Sequence, residues 1–169
     1  MTAFSDLLEE ALEAWHWVRH GLVDEVKNLG EEDLAARPTP KSRTGFELGH
    51  HIVEVAQMMC GELSRPDGDF QRKPYGKLIA EYAGQLQIPG RKDDLVLLLE
   101  TTHAEGEKRL RQAGELALLQ YITRFDGKRG TRLAWIYHGI AHEEYHKGQL
   151  ALYARLRGKV PALTQLIGE

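Results

Sequence analysis

His142-Glu143-Glu144-Tyr145-His146-Lys147-Gly148-Gln149-Leu150 runs on as Ala151-Leu152-Tyr153-Ala154-Arg155-Leu156-Arg157-Gly158. This stretch has the composition of a helix that Gly158 and then Pro161 bring to an end. Positions four apart lie on one helical face, so the His142 and His146 imidazoles emerge together with Cβ atoms about 5–6 Å apart, close enough to grip one ion. On a 100° wheel the stripe of this helix passes through Trp135, Gly139, His142, Tyr145, His146, Gln149, Tyr153 and Leu156. Both histidines therefore point inward, and a third would complete a site.

An earlier segment offers that third imidazole. Its stripe is Leu48, Ile52, Val55, Met58 and Met59, with His51 in the middle and His50 projecting to the polar side. The same construction turns His103 and His138 inward and His16 and His20 outward. A buried imidazole without a partner carries a desolvation cost of about 2 kcal/mol or more, so inward histidines on facing helices call for a shared explanation. Metal ligation is one, and mutual hydrogen bonding is another.

Four long amphipathic segments organise the chain. The first runs from about Phe4 to Asn28, with Phe4, Leu7, Leu8, Ala11, Trp15, Val18, Leu22 and Val26 on one face and Gly30 as its stop. Pro38 and Pro40 interrupt the connector that follows. Thr44-Gly45-Phe46-Glu47 has the form of a capping box and starts the second helix, which ends near Leu63. A long crossover follows, in which Leu78 to Leu86 can form a short helix. The third helix spans about Asp93 to Ala113 and stops at Gly114. Thr123 to Gly130 reads as a polar loop, and Thr131 caps the fourth helix, Arg132 to Arg157. No segment alternates with the period of a strand. Four such stripes must bury one another, which predicts an all-α four-helix bundle in one domain over residues 1–169.

Composition narrows the function. The chain has 169 residues, 42% of them hydrophobic, enough for one substantial core. The net charge of -3 comes without runs of like charge, which disfavours nucleic acid and anionic membrane surfaces as partners. No apolar stretch reaches the roughly 18–20 residues of a bilayer span, and the acidic start lacks the character of a signal peptide, so a cytoplasmic protein is expected. The one cysteine, Cys60, falls on the outward side of its helix and reads as an ordinary thiol. Trp15, Trp135, Met58 and Met59 read as packing residues.

Three neutral imidazoles suit zinc, nickel, iron or manganese and leave a coordination position for water or a substrate thiol, so hydrolysis and thiol transfer are both open. Gln149, Tyr145, His138 and Glu54 are placed to support the ligands. Glu143 lies about 100° round the helix from His142, where it either reaches water at the site as a base or is solvated. The string from His142 to His146 also fits the H-E-x-x-H pattern of zinc peptidases, but no third histidine follows where a metzincin needs it. Metal affinity is expected to fall below about pH 6.5, where free imidazoles take up protons.

Leu48-Gly49-His50-His51-Ile52, the segment from His142 to Leu150, the trailing Leu156-Arg157-Gly158-Lys159-Val160-Pro161 and the Pro38 connector together resemble the DinB-like family, which includes the YfiT-like proteins. The resemblance covers nearly the whole chain, and its most specific part is H-x-x-x-H-[RK]-G-Q. It implies a bundle of up-down-down-up topology, often a homodimer, with a divalent metal on His51, His142 and His146. It also implies a small-molecule substrate and chemistry that uses a low-molecular-weight thiol, as in thiol S-transferases and a thiol-dependent isomerase; the alternative is a non-catalytic metal-binding or stress-associated dimeric bundle. Tyr145 stands where relatives often carry another histidine.

Overall fold

The computed structural model describes residues 4–168, and its elements follow the apolar stripes with local corrections. Asp6 caps α1 (Leu7–Asn28) by accepting from the Glu9 amide. A short α2 (Glu31–Ala35) occupies the first connector. The Thr44–Glu47 capping box closes in both directions and opens α3 (Gly45–Ser64). The crossover contains α4 (Tyr75–Ala83) and leads into α5 (Lys92–Ala113), which Gly114 ends at φ 81°. After α6 (Glu115–Leu118), strands β1 (Tyr121–Thr123) and β2 (Arg129–Thr131) pair antiparallel, Tyr121 opposite Thr131. Thr131 then caps α7 (Arg132–Leu156), and α8 (Ala162–Ile167) follows Pro161.

Contacts between the long helices give their directions. Along α1 and α7 the partners rise together: Trp15 and Arg19 meet Glu143, Lys147 lies over Gly21, and Asn28 donates to the Val160 carbonyl just past α7. Along α3 and α5, Gly49 faces Leu95, Gln57 donates to the Thr102 carbonyl, and Cys60 lies beside Gly106. These two pairs are parallel. Glu9 with Arg111 and Leu29 with Lys92 set α1 antiparallel to α5. Leu63 with Arg132 and Arg43 with Tyr153 set α3 antiparallel to α7. The four long helices run up, down, down, up in chain order, and the α3–α7 groove lies across the bundle from the α1–α5 groove.

Apolar burial holds the bundle in two clusters. One gathers Leu12, Trp15, Met58, Met59, Leu63 and Ile136; the other gathers Leu22, Val26, Ile52, Leu95, Leu99 and Leu150. Each such side chain contributes about 1.5–3 kcal/mol by leaving water. Buried Arg132 donates to the carbonyls of Leu63, Arg65 and Pro66, placing a cation at the C-terminal end of α3 and fixing where α7 begins against it.

Several expectations are corrected. Phe4 and Leu7 are exposed, and α1 stops at Leu29, with Gly30 instead capping α2. The polar loop is a β-hairpin whose three-residue strands are too short to show alternation. Cys60 is buried, and burial followed by the Glu143 charge pushes its thiol up to about 12. His50 is also buried, with Nδ1 3.5 Å from Glu54, because α3 is covered by α4, α5 and α7 at once and has no free polar side there.

Candidate metal centre

The antiparallel crossing of α3 and α7 sets His51 opposite the turn that carries His142 and His146. Arg132 fixes one end of that crossing, and the Tyr153 hydroxyl, donating to the Arg43 carbonyl at 3.0 Å, fixes the other. The His51 ring centre lies 5.3 Å from that of His142 and 5.1 Å from that of His146, and the latter two are 4.4 Å apart. One nitrogen of each ring lies within 4.8 Å of the other two.

The donor set fits a divalent ion. Gln149 Oε1 lies 2.8 Å from His146 Nδ1, and an amide oxygen only accepts, so Nδ1–H is the donor and the His146 lone pair sits on Nε2. That lone pair faces His142 Nε2 at 3.0 Å. His142 Nδ1 is buried and has no hydrogen-bond partner among the described residues. Two ligand nitrogens on one zinc stand about 3.3 Å apart by tetrahedral geometry at bond lengths of about 2.0–2.1 Å, so the pair needs little adjustment.

Electrostatics keep the rings neutral. Burial first, then the Arg43 charge and the neighbouring imidazoles, lower His51 to about 4. Burial and then His146 lower His142 to about 4. Burial also lowers His146, against the opposing hydrogen bond to Gln149. Neutral imidazole is the form that binds metal.

Of the expected supporting groups, Gln149 alone touches a ligand ring by hydrogen bond. Tyr145 is 66% exposed, with its ring 5.0 Å from that of His146. His138 is exposed rather than inward, and stacks at 4.3 Å on Trp135. Glu54 faces His50. α7 presents more than one inward face: His142 and His146 turn toward His51 of α3, while Ile136, Ile140, Glu143, Leu150 and Ala154 form a second, buried stripe on which Glu143 meets α1.

Glu143 belongs to that second stripe and is neither solvated nor turned to the three histidines. It is 2% exposed; Oε1 accepts from the Trp15 indole and from Arg19, Oε2 from Arg19 Nε, at 2.6–2.8 Å. Both oxygens are occupied on the α1 side, by Trp15 and Arg19. Arg43 is the charged residue that the sequence did not single out. It is exposed in the loop before α3, where its carbonyl accepts from Tyr153, and its charge acts on all three histidines.

The family model of the DinB superfamily matches residues 14–150. No curated protein matches. The fold is similar to that of the DinB-like protein YjoA from Bacillus subtilis, with a TM-score of 0.68 and 19% identity over 89% of this chain and 93% of that one. It is similar to YfiT from Bacillus subtilis, described as a probable metal-dependent hydrolase with an unusual four-helix bundle topology, with a TM-score of 0.69 and 13% identity over 94% and 91%. It is also similar to a mutant of the mycothiol-dependent maleylpyruvate isomerase, with a TM-score of 0.65 and 18% identity over 89% of this chain and 63% of that one.

Proposed function

We infer the function from one premise: this chain belongs to the DinB superfamily. On that footing we propose a metal-dependent enzyme of thiol transfer or related detoxification chemistry, holding zinc or nickel, or else iron or manganese, on His51, His142 and His146. The observation that carries the proposal is the convergence of three neutral imidazoles from two helices, with the His146 lone pair fixed on Nε2 by Gln149. The thiol dependence of one structural neighbour and the metal dependence ascribed to another point the same way.

A divalent ion held there supplies Lewis acidity and an open position for a thiol or a water. The chain's own residues do the rest. Gln149 orients His146. Arg43, exposed at the edge of the site, adds a fixed positive charge that favours an anionic substrate. Hydrolysis with Glu143 as base is the weaker reading, because Arg19 and Trp15 already occupy both oxygens of that carboxylate.

Metal analysis of tag-free protein tests the reading, comparing wild type with His51→Ala, His142→Ala and His146→Ala. The expected result is the loss of one equivalent in each variant, together with a new thiolate charge-transfer band when a low-molecular-weight thiol is added to the cobalt-loaded wild type. Equal metal content in wild type and variants would overturn the site; one bound equivalent without a thiol response would leave a binding bundle. The proposal includes a homodimer, for which sedimentation velocity should give twice the chain mass.

A further inference from the structure

In the groove between α1 and α5, across the bundle from His51, a second set of donors converges. His103 and Glu107 are one turn apart on α5, and His16 reaches them from α1; one donor atom of each lies within 4.8 Å of the other two. His103 is 7% exposed, yet neither of its ring nitrogens has a hydrogen-bond partner among the described residues. Its Nε2 stands 3.5 Å from Glu107 Oε1, too far for a good hydrogen bond, and its ring centre is 5.6 Å from that of His16. Buried polar atoms left unpaired in this way are uncommon and call for a missing partner.

The surroundings hold these donors in place. Trp15 packs edge-on against the His103 ring at 4.2 Å and 78°, which fixes its plane. Arg111 donates to Glu107 Oε2 at 3.2 Å, leaving Oε1 turned toward His103. The nearby cations are already matched, Arg19 by Glu143 and Arg111 by Glu9 and Glu107. A cleft of about 310 Å³ opens over His16, His103 and Glu107, so an ion and its waters have access.

We propose that His16, His103 and Glu107 form a second binding site for a first-row divalent cation such as zinc or iron(II), separate from the three-histidine centre. Two imidazoles and one carboxylate select such ions over calcium and magnesium, which take oxygen ligands, and three protein ligands leave positions for water. Burial and then the Arg19 charge hold the His103 ring down at about 3, so it meets the ion without having to shed a proton at neutral pH.

Zinc uptake measured by equilibrium dialysis at pH 7 tests this site independently of the first. The His51→Ala/His142→Ala/His146→Ala chain should retain one equivalent, and adding His16→Ala should remove it. His16 is exposed, so its replacement leaves the core packing intact. In the otherwise wild-type chain, His16→Ala should likewise remove one equivalent of two, and Glu107→Gln should weaken that equivalent at least tenfold. No zinc on the triple variant, or zinc that survives His16→Ala, overturns the proposal. A failure of the three-histidine centre would instead leave one equivalent in wild type that only His16→Ala removes.

Discussion

Gln149 is the smallest lever on the metal centre, since its oxygen alone fixes the His146 tautomer. Replacement by leucine should weaken zinc binding about 10–100-fold while leaving the circular dichroism unchanged, as measured by competition with a chromophoric chelator. The depressed imidazoles also set the acid response. His51 and His142 titrate near 4 in the folded chain against 6.5 for the free ring, so the unfolded chain binds protons first. Stability of the metal-free protein is therefore intact above about pH 6.5 and falls as the pH drops toward about 4, with His103 extending the loss toward about 3. Urea midpoints across that range check the sign, and zinc affinity should hold well below pH 6.5, where the sequence alone placed its decline. The i,i+4 spacing of His142 and His146 was legible because helix geometry fixes it. The choice of His51 as their partner was legible from the α3 stripe, whereas the burial of His50 was not, because α3 is packed against by α4, α5 and α7 as well as patterned by its own residues.

α5 shows how closely the elements interlock. A Cβ on Gly106 would lie 2.6 Å from the Trp15 ring and 3.0 Å from Cys60 Sγ, both on buried, rigid neighbours. Alanine gains up to about 1 kcal/mol in helix propensity, but overpacking costs about 1–3 kcal/mol. Gly106→Ala should therefore lower the melting temperature, a result that calorimetry can read directly. The start of α3 was readable from Thr44 and Glu47, and the stops at Gly114 and Pro161 from residue chemistry. The hairpin and the short α2 and α8 were hidden because three to six residues carry too little periodicity. The Arg19–Glu143 pair was hidden for a related reason: apolar patterning has no means of marking a charge whose counter-ion lies 124 residues away.

That counter-ion ties the whole molecule together. Arg19 and Glu143 are each 2% exposed, and Glu143→Gln would leave a buried guanidinium with no opposing charge. Such a loss costs about 3–5 kcal/mol, whereas Arg19→Met with Glu143→Leu should recover most of it; urea denaturation of both variants measures the difference. A catalytic base would behave otherwise, losing rate without losing stability. The parallel pairing of α1 with α7 also governs how the chain acquires its structure. The first helix leaves the ribosome long before the last, so Arg19 and the apolar face around Leu22 wait for a partner through the synthesis of more than a hundred residues. Loop closure over that distance makes this bundle slower to fold than one built from adjacent hairpins, and it places the decisive step after translation of α7.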